Sequence, residues 1–151
     1  MHSVTSYSRD YIDTCRLHIA RQLEAYRTLA ASANRRAVAD FEPLFLNHLL
    51  LALDHYFCHR CAEVEGSDGN PLYEMRLLCA SITQNRSVLL EGTTLGTSLT
   101  PVLKLRPGSN IALSEEQFAA ISIAFFAELE KRFRAPEPEP EEQEPGEPTG
   151  E

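Results

Sequence analysis

The sequence is short of most features that announce a function. Leaving aside residues 136–151, it has 15 acidic and 14 basic side chains, so the folded part is nearly neutral. Twelve of the basic residues are Arg, and they form no basic stretch of the kind that holds a phosphate backbone. Nucleic acid is therefore not an expected partner. No apolar run approaches the ~20 residues that a bilayer requires. The best candidate, around Leu44–Leu53, is broken by Asn47 and His48, so no membrane span is expected. The first ten residues lack the apolar core of a secretory signal. Four cysteines in a chain long enough to build a core do not call for disulfides, and the expected setting is a reducing cytoplasm.

Catalytic signatures are missing too. There is no Gly-x-Ser-x-Gly elbow, and the Gly92–Gly96 stretch is not followed by the Lys-Ser or Lys-Thr of a phosphate-cradling loop. Neither His-Glu-x-x-His nor the paired Glu-x-x-His of di-iron bundles occurs. The formal net charge of −8 comes from the end of the chain, where residues 136–151 hold seven Glu and no Lys or Arg. From Ala135 onward the composition is almost entirely Pro, Glu, Gly, Gln and Thr. Such a segment buries too little apolar surface to offset chain entropy, and a disordered solubilising tail over 135–151 is expected.

Residues 1–134 read as one mostly α domain, four helices in a bundle-like arrangement with a small β-hairpin. A first helix is expected from about Ser8 to Ala33, with Ile12, Cys15, Ile19, Leu23, Tyr26, Leu29 and Ala33 forming its buried stripe. The short link Asn34-Arg35-Arg36 favours an antiparallel partner. That partner reads as one long central helix, capped by Asp40, carrying Pro43 in its first turn and ending at Gly66. Leu46, Leu49, Leu50, Leu53, Tyr56, Phe57 and Val64 form a core face, and Leu44, Leu51, Ala52 and Ala62 are apolar on the other side. Two apolar sides suggest a helix that is central, or one shared with a partner. A third helix should follow Asn70-Pro71 and run to about Gln84. Ser87–Leu90 could form a short strand. Val102–Leu105 and Asn110–Leu113 flank a type II turn signal at Pro107-Gly108 and read as the hairpin. Ser114-Glu115-Glu116-Gln117 is a capping box that opens the last helix.

Three groups of side chains invite a chemical reading. His55 and His59 are one helical turn apart on the expected central helix, a spacing that can chelate a transition metal such as zinc or iron; Glu74, or His18, could add a ligand from a neighbouring helix. His48 is seven residues earlier and too far along the axis to join them. Cys58-His59-Arg60-Cys61 has the spacing of zinc and redox motifs. It lacks a second ligand pair, however, and at a helix C-terminus it would meet a dipole of the wrong sign, so buried, inert cysteines are expected. Asp54 and His55 are adjacent on a helix and would not face each other. Arg60, Glu63, Glu65 and Arg76 read as surface pairs of small worth.

The stretch Leu53-Asp54-His55-Tyr56-Phe57-Cys58-His59-Arg60, followed by the turn Asp68-Gly69-Asn70-Pro71, resembles a family of small uncharacterised bacterial proteins that share this helix-turn-helix segment. The resemblance runs from the central helix through the last helix and omits the acidic tail. It implies no established activity; His55, His59, Arg60, Asp68, Asn70 and Glu74 are its polar members. Two classes of function follow from the residues. One is a non-enzymatic homodimer or protein-interaction module using the central helix. The other is a metal-binding bundle around His55 and His59, acting as an enzyme or sensor.

Overall fold

The computed structural model describes residues 2–91 and 101–140. The glycine-bearing stretch after Glu91 and the greater part of the acidic tail lie outside them. The described chain is mostly helical: α1 (Arg9–Ser32), α2 (Arg35–Tyr56), α3 (Ala62–Glu65), α4 (Pro71–Gln84) and α5 (Glu115–Phe133). Helix starts follow local chemistry. Ser8 accepts the Tyr11 N–H at α1, Asn70 the Leu72 N–H at α4 with Pro71 behind it, and Ser114 and Gln117 cap one another's backbone at α5. These match the expected boundaries within a residue.

The central helix does not. It begins five residues before Asp40, capped by Asn34, whose side chain accepts the Arg36 and Ala37 N–H groups. Pro43 consequently sits inside the helix, where its missing N–H leaves one carbonyl without a helical donor. The helix also stops at Tyr56, so that residues 57–61 are not helical and only the single turn of α3 follows. The backbone of this break finds other partners. Val4 N–H donates to the His59 carbonyl at 2.7 Å and Cys61 N–H to the Val4 carbonyl at 2.8 Å. Phe57, fully buried, anchors the break among Tyr7, Tyr11, Phe125 and Phe126.

Helix directions can be read from the contacts between elements. Arg16 pairs with Glu130 and Arg27 with Glu115, so α1 and α5 run antiparallel. Tyr11 Oη donates to the Tyr56 carbonyl and Tyr26 Oη to Glu42, which makes α1 and α2 antiparallel as expected. Helix α4 packs on both α2 and α5. The core is built from Leu46, Leu50 and Leu53 of α2, Phe57 just beyond it, Leu72, Met75 and Leu78 of α4, and Phe118, Ile121, Phe125, Leu129 and Phe133 of α5.

Among the described residues there is no strand, only isolated bridges. The expected turn exists: Ser109 N–H donates to the Arg106 carbonyl, and Gly108 at φ 83° supplies the left-handed position of a type II turn. Its flanks are not the expected hairpin. Residues 109–111 pair instead with 87–89, through Leu89 N–H to the Ser109 carbonyl and Ile111 N–H to the Ser87 carbonyl. Two buried side chains decide this. Glu74 accepts the backbone N–H groups of Val102 and Leu103, while Asn47 donates to the Ile111 carbonyl and accepts from Leu113 N–H. Each holds one arm of the segment to a different helix.

Candidate functional site

The densest polar chemistry lies at the α2–α3 break, and its centre is Arg60. This guanidinium, with a side chain 0% exposed, donates Nε to Glu65 at 3.1 Å and NH1 to Asp54 at 2.8 Å. NH1 also reaches the Phe57 carbonyl, and NH2 the Leu72 carbonyl at 3.0 Å. One face of it lies over the Phe125 ring, 5.3 Å from the centroid. Arg76 holds the other oxygen of Glu65 at 2.6 Å and donates to the Arg60 carbonyl. The expectation of surface pairs is thus overturned for Arg60 and Glu65: both are buried and joined in one network. The sequence hides this because the charges become neighbours only after the helix breaks.

A second layer ties the following turn to α5. Arg132 donates NH1 to the Glu65 carbonyl and NH2 to Asp68, both at 2.8 Å, and also bonds Glu128. Asn70 donates to the Glu65 carbonyl and to Asp68, each at 2.7 Å. The Asn70 amide and the Arg132 guanidinium hold the Asp68 carboxyl down at about 2, from an ordinary 3.8. No buried side-chain nitrogen or oxygen of this network lacks a hydrogen-bond partner. Such a set fixes geometry.

The candidate ligands His55 and His59 fall on either side of the end of α2, with His18 on α1 and Glu74 on α4. His55, exposed, is on the last turn of α2 and lines a cleft with Asp54, Cys58, Arg76, Cys79 and Thr83. His59 is exposed in the break itself, where the helical spacing that would let it chelate with His55 no longer holds. Glu74 lies across α4 from the cleft-lining Arg76, with its two carboxylate oxygens already taken by Val102 and Leu103. Burial pushes the Glu74 pKa up, partly opposed by those two N–H donors. His18 is exposed beside Tyr56. Among the described residues, no three His, Cys, Asp or Glu side chains are grouped to hold a metal ion.

The cysteines sort into two classes. Cys15 and Cys79 are buried, and desolvation raises their pKa values. Cys58 and Cys61, expected to be buried on adjacent turns of one helix, are instead partly exposed on the non-helical segment. Cys61 directly precedes α3; its side chain makes no capping hydrogen bond, but the nearby backbone N–H groups of Val64 and Glu63 lower its pKa. The dipole argument made from an unbroken helix therefore has the wrong sign for Cys61.

Besides Tyr11, Leu17 and Ile123 on α1 and α5, exposed apolar side chains occur on the outer part of the α1–α2 hairpin. Leu29 and Leu44 are each 62% exposed and Phe41 is 47% exposed. Phe41 and Phe45 stack at 5.7 Å between centroids, and Phe45 stacks on Tyr26 at 5.1 Å. Shallow apolar grooves lie on this end, one bordered by Leu29, Ala33, Ala37, Val38 and Phe41 and another by Ala25, Leu29 and Phe45. No helix among the described residues is long and apolar enough to cross a membrane. No protein-family model, curated protein or solved structure matches the chain.

Proposed function

We propose that the protein is a non-enzymatic helical interaction module that pairs with a second copy of itself through the free end of the α1–α2 hairpin. The observation that carries this reading is the pair Leu29 and Phe41, two large apolar side chains that border the same two grooves and remain 62% and 47% exposed. Isolated exposed leucines are ordinary, whereas a contiguous apolar patch backed by stacked rings is the usual form of an interface core. Buried side chains of α2 begin at Leu46, so its first half contributes little to the chain's own core. That half is available to a partner, in keeping with a helix that is apolar on two sides. The satisfied charge network at the break fits this role, since it fixes the body that carries the hairpin.

Sedimentation equilibrium or native mass spectrometry on tag-free protein tests the proposal. A dimer is expected, and Leu29→Glu with Phe41→Glu should convert it to a folded monomer, because two carboxylates would be desolvated at the interface. Ile123→Glu, on the exposed side of α5, should leave the dimer intact. A wild-type monomer at tens of micromolar, or a dimer broken by Ile123→Glu alone, would sink the idea.

A further inference from the structure

We infer that the seat of Val4 and Tyr7 is a peptide-binding slot, held by the chain's own first residues and open to a segment of a second polypeptide with the pattern Val-x-x-Phe. Residues 2–7 belong to no helix and lie against the fold as a bound peptide does. His2, Ser3, Thr5 and Ser6 are exposed, Val4 is half-buried and only Tyr7 is buried. Four main-chain hydrogen bonds attach them, at two edges. Val4 N–H donates to the His59 carbonyl and the Val4 carbonyl accepts Cys61 N–H, at 2.7 and 2.8 Å. Tyr7 N–H donates to the Phe133 carbonyl and the Tyr7 carbonyl accepts Ala135 N–H, at 2.6 and 2.9 Å. Both pairings are parallel bridges, to Arg60 and Arg134. Strand addition of this kind takes affinity from backbone bonds, which any sequence supplies, and specificity from side-chain pockets.

Two features separate the slot from the segment that fills it. The first is that one wall is fixed without that segment. Arg60, between the edge groups of His59 and Cys61, is held by Asp54, Glu65 and the Leu72 carbonyl, none of them within residues 2–7. A preorganised edge costs a peptide less to bind. The second is the fit of the anchor. The Tyr7 ring packs among Phe57, Phe133 and Tyr11. Its Oη is nevertheless the one buried side-chain nitrogen or oxygen among the described residues with no hydrogen-bond partner. A phenyl ring fills the same aromatic pocket and leaves no polar atom unpaired. The chain therefore holds its own segment less tightly than the slot allows. The tether gives that segment an effective concentration on the order of millimolar, and the better anchor is what lets a competitor overcome it. The slot adjoins the start of α1, whereas Leu29 is in the last turn of that helix, so the inference does not rest on the hairpin interface.

The test uses the full chain, isotope-labelled, and two synthetic peptides of residues 2–8, one native and one carrying Tyr7→Phe. Hydrogen exchange is read at four amides of the protein. With the Tyr7→Phe peptide at several millimolar, the Val4 and Tyr7 amides should exchange at least about fivefold faster as their segment is displaced. Cys61 and Ala135 should stay protected, now by the peptide's carbonyls. This readout does not depend on the folding of a variant. Tyr7→Ala protein, whose own segment has lost its anchor, should bind the Tyr7→Phe peptide about fivefold or more tightly than the native one in fluorescence anisotropy. Unchanged exchange at Val4 and Tyr7, faster exchange at all four amides, or equal affinity for the two peptides would each overturn the inference.

Discussion

Single residues in this protein carry unequal loads, and the clearest contrasts come from side chains whose polar atoms differ in partners. Tyr7 Oη is buried without a hydrogen-bond partner among the described residues, and burial raises its pKa to about 12. Such a hydroxyl costs about 1–3 kcal/mol when left unpaired. Tyr7→Phe should therefore be neutral or stabilising in a urea titration; a loss above about 1 kcal/mol would mean that the hydroxyl has a partner. Asp68 is the opposite case. Its folded pKa lies near 2, depressed from 3.8, so its contribution is complete above about 4 and is lost as pH falls through 2. Replacing it by Asn should flatten the acid limb of the stability profile in that window. Glu74, with its pKa raised, acts in the reverse sense and favours the fold more in acid than at neutral pH. An unchanged acid limb in Asp68→Asn would assign that slope to other carboxylates.

The elements show where sequence reasoning succeeds and where it stops. Gly66 and Gly108 both have left-handed backbones, at φ 79° and 83°, but differ in surroundings. A Cβ on Gly108 would meet nothing within 4 Å, whereas one on Gly66 would lie 2.6 Å from Arg132 NH1, the atom that holds the Glu65 carbonyl. Gly108→Ala should then cost about 1–2 kcal/mol for the backbone alone. Gly66→Ala should cost measurably more in the same thermal or urea titration, and equal losses would show that Arg132 moves aside freely. The caps at Asn70 and Ser114 were legible because a cap and its target are within three residues of each other. The apolar stripe from Leu46 to Phe57 was legible for the same reason. The stop after Tyr56 was not. Apolar spacing continues past it, and what ends the helix is remote: Val4 bonding the backbone of residues 59–61, and Arg60 turning inward to Glu65 and the Leu72 carbonyl. Asp40 lost to Asn34 as cap because residues 35–39 extend the helix well enough to absorb Pro43. The partly exposed thiols and the buried charges were hidden by the same missed break.

For the whole molecule, the decisive contacts join the two ends of the described fold. Tyr7 N–H donates to the Phe133 carbonyl at 2.6 Å, and Ala135 N–H donates back to the Tyr7 carbonyl at 2.9 Å. The Tyr7 ring packs edge-on against Phe57 at 5.0 Å and tilts against Phe133 at 5.9 Å. Tyr7→Ala should thus cost about 3–5 kcal/mol, the range for deleting a buried aromatic ring, and should loosen α5 as well as the N-terminal segment. Hydrogen exchange would check this through faster exchange of the Ala135 and Val4 amides; protection that stayed at wild-type levels would place the two ends in independent units. The arrangement also sets an order on how the protein is made. The segment around Tyr7 is seated only after α5 has been made, because its partners are at residues 133 and 135. Until then Phe57 and Tyr7 remain without the aromatic wall of α5, and the nascent chain carries that apolar surface exposed.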